Sequence, residues 1–313
     1  MGWLLASLNM RHIVKTSTYE QFARSPSLAV QQDVMNLVRY MQVNYNVDTE
    51  RIYVAGFSTG GGIAATMAAK YPDVFAAALD YSGPTAYAQW YGERGDLYSD
   101  LGREFNGGPG TNFEYPRRSS RSLARNLRYV PLRVRHSPTD DRVRFSHSQN
   151  LLTAMTEFYV PAEYQKELIP HDRGHADPAE ADKQSDLEFL TQFTRVHNPQ
   201  QVQLITDEGK WYYWLGVEKQ GVANNAWRGF VAVDAGYDPA TSTILMTAGD
   251  GDFAERKPLT ITFDLDRMGL STGISYDIEE SDPETGDFVL HSDVSPVEGK
   301  LILSVPQNDR GNV

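Results

Sequence analysis

The sequence predicts an α/β domain over residues 1–197 followed by an all-β, sandwich-like domain over residues 198–313. Three observations carry this. Up to Val196, short β-branched runs alternate with helical periodicities, the pattern of a mostly parallel sheet with helices on both faces. Beyond that point strands follow strands, divided by Gly-, Asp- and Pro-rich turns. A chain of 313 residues also suits two domains, at roughly 150 residues each.

The apolar run 3–8 reads as a buried strand. Over 28–45, Leu28, Val30, Val34, Leu37, Val38, Met41 and Val43 recur near helical spacing. A short strand is expected at 51–56. The Ala- and Gly-rich stretch 59–70 reads as a helix, stopped by Pro72. Strands follow at 75–79, 131–135 and 164–169, with helices at 146–159 and 182–195, the last carrying Leu187, Leu190 and Phe193 on one face. Residues 84–128 interrupt the alternation with Gly107-Gly108-Pro109-Gly110, several Arg and seven aromatics. A long irregular insertion is expected to be a lid or binding loop; the alternative is a surface excursion with its own small aromatic core.

In the second half, strands are expected at 200–205, 210–218, 228–234, 242–247, 259–264, 273–279, 286–291 and 299–305. Many short strands at even spacing suggest a β-sandwich. Trp211, Tyr212, Tyr213, Trp214 and Trp227 are expected in a core or interface, since alternation sends half of such a run inward. Gly249-Asp250-Gly251-Asp252 reads as an acidic turn, with too few ligands for calcium.

Composition narrows the function classes. With 29 basic and 41 acidic residues the net charge is −12, which disfavours general binding of nucleic acid or of an anionic membrane. No apolar run approaches the ~20 residues of a membrane span. Residues 1–8 lack the basic start and the length of a signal peptide. A soluble chain is expected, cytoplasmic or secreted with its N-terminus lying outside this sequence. Cysteine is absent, so disulfides, thiolate metal sites and cysteine nucleophiles are excluded.

Gly56-Phe57-Ser58-Thr59-Gly60 is a Gly-x-Ser-x-Gly pattern set between an expected strand and an expected helix. There the Ser sits on a tight turn with its hydroxyl projecting above the sheet. Gly56 and Gly60 are expected to prevent collisions across the turn, and the Thr59 amide to donate to a developing oxyanion. The alternative is a Gly-rich strand-to-helix turn for an anion. A Ser nucleophile needs a base and an orienting acid, here in the order Ser, acid, His. Asp140, in the turn after strand 131–135, is the expected acid, with Asp141 its competitor. His175, after Gly174, is the expected base, with His171 its rival. His171, Asp172 and His175 also have metal-ligand chemistry, but Pro170 and Gly174 argue against a regular ligand-bearing helix, and neither metal nor cofactor is expected. The other five histidines, His136 among them, read as structural or solvated.

With these residues in view, the sequence over about 1–195 resembles the α/β-hydrolase superfamily, in particular prolyl-oligopeptidase-type hydrolases and esterases related to feruloyl esterases and polyhydroxybutyrate depolymerases. Gly56-Phe57-Ser58-Thr59-Gly60-Gly61 matches the family's nucleophile elbow. His136-Ser137-Pro138-Thr139-Asp140-Asp141-Arg142-Val143 is similar to the family's His-Gly-Thr-x-Asp-x-x-Val segment, and Gly174-His175 to its Gly-His. The resemblance implies a Ser58–His175–Asp140 triad acting by acyl transfer to water. Run 3–8 looks like the family's fourth strand. The resemblance therefore implies an N-terminally shortened hydrolase fold, without the first strands, the first helix and the loop bearing a second oxyanion donor. Loss of one donor typically costs about 10²–10³ in rate; residues 9–27 or another subunit are candidate replacements. A sheet edge left open this way predicts a homo-oligomer.

The expected function is hydrolysis of small-molecule or polymeric carboxylic esters, with Phe57, Tyr87, Trp90 and Tyr91 contacting substrate. The alternatives are a serine peptidase of prolyl-oligopeptidase type and a non-catalytic hydrolase-fold binding protein. Peptidases of that type usually carry a propeller before the hydrolase domain, whereas here the β-rich segment follows it.

Overall fold

The computed structural model describes residues 2–8, 12–15, 20–22, 24–158, 166–223, 227–238, 240–250, 258–281 and 288–305. The chain forms two compact units, Met1–Arg195 and Val196–Val313.

In the first unit, β1 (His12–Lys15) and β2 (Glu20–Phe22) form a small antiparallel ribbon. Then come α1 (Leu28–Asn44), β3 (Tyr53–Phe57), α2 (Thr59–Lys70) and β4 (Ala77–Tyr81). The insertion contributes α3 (Tyr87–Glu93), α4 (Tyr98–Glu104), α5 (Glu114–Arg117) and 3₁₀ turns at Gly95–Leu97 and Ser120–Tyr129. The alternation resumes with β5 (Leu132–His136), α6 (Ser146–Thr156), β6 (Lys166–Pro170) and α7 (Glu180–Thr191). Strands β3-β4-β5-β6 lie side by side in chain order, every pairing parallel.

Both faces of this sheet are covered. On one side Val30 and Met35 of α1 meet Ile63 and Met67 of α2 above Val54. On the other, Phe189 and Leu190 of α7 pack on Ala77 and Leu79, with Tyr53 and Tyr81 beside them. Helix α2 is buried from Gly61 to Lys70 because it lies between β3, β4 and the 3₁₀ segment. Its Ala- and Gly-rich sequence permits that close approach. The N-cap Ser27 of α1 accepts from the Val30 N–H at 3.3 Å, starting the helix one residue before Leu28.

Two charged residues on the buried strand β5 have matched partners. Arg133 and Arg135 converge on Asp186 of α7, at 3.1 and 2.8 Å, and the Tyr81 hydroxyl donates to the same carboxylate. Burial and the nearby carboxylate together push the Tyr81 phenol well above its ordinary pKa.

Two expectations need correction. Residues 3–8 form no strand: Trp3, Leu4, Leu5 and Leu8 are exposed, and the Trp3 ring rests 5.7 Å from Tyr53. An apolar run becomes a strand only where a neighbouring edge supplies its ladder hydrogen bonds. Residues 84–128 are not irregular either. Their short helices close over Tyr87, Trp90, Leu97, Leu101, Phe105 and Tyr115, with Phe105 stacked on Tyr115 at 4.2 Å.

The second unit holds β7 (Gln201–Thr206), β8 (Lys210–Tyr212), β9 (Leu215–Lys219), β10 (Val231–Asp238), β11 (Thr243–Asp250), β12 (Leu259–Asp264), the one-turn α8 (Leu265–Met268), β13 (Tyr276–Ser281), β14 (Phe288–Val294) and β15 (Lys300–Val305). They form a five-stranded sheet, β14-β13-β11-β10-β7, and a four-stranded sheet, β15-β12-β9-β8. Period-2 burial is clear in β12, where Leu259, Ile261 and Phe263 are buried between half-buried neighbours. The expected single strand 210–218 is divided at Tyr213, whose φ of 56° makes a left-handed turn. Tyr212, Tyr213, Trp214 and Trp227 are buried; Trp211 is partly exposed, beneath Arg267 and Lys300 at 5.4 and 5.6 Å. Gly251 and Asp252 of the acidic turn lie outside the described residues.

Candidate active site

The link from β3 to α2 is a single residue. Ser58 has φ 55° and ψ −123°, a conformation that a non-glycine residue adopts only when its surroundings enforce it. The enforcement is visible. The Ser58 N–H donates to the Tyr81 carbonyl at 2.7 Å, and the Ser58 carbonyl accepts from the Gly61 and Gly62 N–H groups. A Cβ on Gly56 would stand 2.1 Å from the Gly60 carbonyl oxygen, and one on Gly61 would stand 2.3 Å from Asp80 Oδ1. Gly60 itself does not need to lack a side chain, since a Cβ there meets nothing within 4 Å. The crowding expected at both glycines of the pattern therefore falls on Gly56, while Gly60 supplies the backbone it would strike.

Ser58 occupies the cap position of α2, yet its hydroxyl makes no cap hydrogen bond. It instead pairs with His175 Nε2 at 2.8 Å, and His175 Nδ1 pairs with Asp140 Oδ2 at 2.7 Å. Three residues separated by up to 117 positions thus form one chain of hydrogen bonds. Asp140 follows β5, and His175 follows β6 through Gly174, whose φ of 63° turns the loop back. The Phe57 ring lies 5.0 Å from the imidazole, so Phe57 packs behind His175.

Burial acts to raise the Asp140 pKa. Hydrogen bonds from His136, His175 and the Val143 and Arg142 N–H groups outweigh it and hold the carboxyl well below the usual carboxylate range. Its Oδ1 accepts from the Arg142 and Val143 amides at 2.8 and 2.9 Å. The fully buried His136 ring supports Oδ2 from 3.2 Å. The Val143 carbonyl, 2.8 Å from His136 Nε2, can only accept, so that nitrogen carries a proton and donates. His136 Nδ1 meets Ser148 Oγ at 2.6 Å.

The rival residues lie apart from this chain. Asp141 is exposed and ion-paired at 3.8 Å to Arg142. His171 accepts from the Arg173 N–H, and burial lowers its pKa. Among the described residues no group of three or more His, Cys, Asp or Glu is placed to hold a metal ion.

An open cleft of about 570 Å³ exposes Ser58 and His175; Arg24, Thr59, Trp90, Arg94, Leu97, Asp141 and Arg142 complete its wall. Of the aromatics expected to touch substrate, only Trp90 lines this cleft, its indole N–H tied to the Arg142 carbonyl at 3.0 Å. Tyr87 is corrected to a core residue: it is fully buried among Trp90 and Phe105. Tyr91 stacks on Tyr98 at 4.6 Å, away from the cleft wall. Sequence reasoning missed the arginines, because an Arg in a loop carries no local signal of where its guanidinium goes. It also missed Ser137, whose Oγ accepts from the Gly174 N–H at 3.1 Å and so ties the loop of Asp140 to the loop of His175. His136 was legible in principle, since it opens the same block as Asp140.

A parallel sheet with helices on both faces, carrying a Ser at a strained strand-to-helix elbow, defines an α/β-hydrolase of the serine-hydrolase class. The chain belongs to the prolyl oligopeptidase family, whose model matches residues 19–198, more than half of its length. It is similar to feruloyl esterase B of Neurospora crassa, 46% identical over 50 residues, which are 16% of this chain and 17% of that protein. It is likewise similar to poly(3-hydroxyalkanoate) depolymerase C of Paucimonas lemoignei, 42% identical over 50 residues, 16% of this chain and 12% of the relative. The match thus spans less than a fifth of either relative. Among solved structures, a puromycin-hydrolyzing peptidase of Mycobacterium tuberculosis aligns at TM-score 0.46 and 19% identity, over 52% of this chain and 25% of that one. A Pyrococcus furiosus esterase aligns at 0.41 and 19%, over 54% and 63%.

Proposed function

We propose that the chain hydrolyses carboxylic esters through Ser58, His175 and Asp140. The observation that carries this reading is the unbroken chain from Ser58 Oγ through His175 to Asp140, at 2.8 and 2.7 Å. His175 Nε2 takes the Ser58 proton as Oγ attacks the ester carbonyl. Asp140, acceptor for His175 Nδ1–H, holds the tautomer that leaves Nε2 free to act as base and stabilises the imidazolium. The Thr59 amide, in the first turn of α2 where N–H groups lack intrahelical acceptors, stabilises the oxyanion. His175 then protonates the leaving alcohol, and a water activated by the same imidazole releases the acid.

Esters are favoured over peptides by the relatives sharing 42–46% identity in the matched stretch, named for feruloyl ester and polyhydroxyalkanoate substrates. Peptide hydrolysis is the second reading, favoured by the family match itself. A short 4-nitrophenyl ester and a prolyl 4-nitroanilide separate them. Turnover of the ester alone, abolished in Ser58→Ala, is the expected result; faster turnover of the anilide would reverse the assignment. A folded protein that turns over neither and takes no fluorophosphonate at Ser58 is a non-catalytic member.

A further inference from the structure

Arg173 stands two residues before His175 and is not part of the cleft wall over Ser58. Its Nη2 donates to Asp182 Oδ2 of α7 at 2.7 Å. The same oxygen accepts the Ala179 N–H at 3.1 Å, and Oδ1 faces Arg135 Nη1 of β5 at 3.1 Å. Burial acts to raise the Asp182 pKa, but Arg173, the Ala179 N–H and Arg135 outweigh it and hold the group ionised at neutral pH.

The chain of contacts continues inward. Arg135 Nε meets the two oxygens of Asp186 at 2.9 and 2.8 Å. That carboxylate accepts from the Tyr81 hydroxyl at 2.9 Å, and the Tyr81 carbonyl holds the Ser58 N–H at 2.7 Å. Arg173, Asp182, Arg135, Asp186 and Tyr81 therefore link the loop of His175 to the strand end that fixes Ser58. Two backbone ties also hold this loop: the His171 N–H donates to the His136 carbonyl at 3.2 Å, and the Gly174 N–H to Ser137 Oγ at 3.1 Å. Between Arg173 and His175 lies only Gly174, at φ 63°, a residue whose backbone does not set its own direction. With side chains 34% and 23% exposed, the Arg173–Asp182 pair adds little to folding stability, so its effect lies in geometry.

We infer that Arg173 is a positioning residue: anchored on Asp182, it fixes the loop that presents His175 to Ser58, and it touches no substrate itself. The inference rests on the reading of Ser58, His175 and Asp140 as a hydrolytic triad. A loop that drifts lengthens the 2.8 Å contact between Ser58 and His175 through which the proton passes.

Arg173→Gln, at an exposed position, leaves the fold intact. It is expected to lower kcat for a short 4-nitrophenyl ester about tenfold with KM within about twofold, as a displacement of under ~1 Å at the reacting groups would. A single N–H···O bond joins Arg173 to Asp182, so Arg173→Lys should restore most of the rate. Asp182→Asn should act in the same direction, and adding Arg173→Gln to it should cost little more, since the two share one contact. The His175 Nδ1 proton, shared with Asp140 at 2.7 Å, gives a readout free of turnover. Its far-downfield NMR signal, assigned by its loss in His175→Asn, should shift or broaden in Arg173→Gln and recover in Arg173→Lys. A signal and a kcat both unmoved in Arg173→Gln overturn the inference. So does a raised KM at constant kcat, which marks a substrate contact, or a lowered melting temperature at constant kcat, which marks a purely structural pair. A signal that moves as expected in a protein that turns over neither ester nor anilide sustains the positioning and removes the ester reading alone.

Discussion

At the scale of single residues, the site depends on how many donors each acceptor receives. Ser58→Ala is expected to lower ester turnover by at least about 10³-fold, measured at saturating ester, because the remaining groups have no nucleophile to activate. His136 is fully buried and touches Asp140, so the part expected of it is to position that carboxylate. His136→Leu removes one donor from Asp140 and strands the Val143 carbonyl. It should lower kcat about tenfold with KM nearly unchanged, and His136→Gln, which keeps an N–H donor, should restore most of it; a merely space-filling role would reverse that order. Asp80, buried beneath the elbow, is a pH-dependent weak point. Burial pushes its pKa up to about 6, against the opposing pull of His136 and the Gly83 N–H. Its Oδ2 has no hydrogen-bond partner among the described residues. A folded-state pKa above the unfolded value means full stability below about pH 4, lost as pH rises through about 6. Asp80→Asn should therefore stabilise the protein at pH 7.5 but not at pH 4, by roughly 2–3 kcal/mol in urea unfolding.

At the scale of elements, the elbow and the buried ion cluster bear the most. Gly56→Ala forces β3 away from α2, since the new Cβ falls on the Gly60 carbonyl, whereas Gly60→Ala meets open space. Activity assays on the pair should show the first inactive or unfolded and the second near wild type. Asp186→Ala leaves Arg133 and Arg135 buried without their shared carboxylate, though Glu167 and Asp182 still pair with them. A loss of about 3 kcal/mol in chemical denaturation is expected. The elements themselves were largely legible. The helix 59–70 was readable end to end from its Ala-rich run and Pro72, and β12 from strict alternation. Residues 3–8 were misread because apolarity marks a preference for burial, and pairing is decided by a neighbouring edge.

At the scale of the whole molecule, two units divide the chain after Arg195, each with its own sheets. Among the described residues, β3 ends the four-stranded parallel sheet, so one row of its backbone groups lacks a strand partner there. Such an edge favours pairing with a second chain. Self-association is the expectation, and light scattering that shows a monomer at micromolar concentration opposes it. No described helix is long and apolar enough to cross a membrane.

What the sequence by itself determined was local: the alternation of strand and helix, the Gly-x-Ser-x-Gly elbow, and the chain order of Ser58, Asp140 and His175. The first two follow from periodicity and turn chemistry within a dozen residues, and the third from the order in which this fold class carries its Ser, acid and His. Which of His171 and His175 meets Ser58, and which of Asp140 and Asp141 meets that histidine, was visible only in the tertiary structure. Neighbours in sequence point in different directions once a strand ends and a loop turns, and only one of each pair joins the hydrogen-bond chain to Ser58. The same holds for His136, Ser137 and Arg142. Their parts depend on contacts across β5, β6 and the insertion, and no pattern along the chain encodes contacts between separate elements.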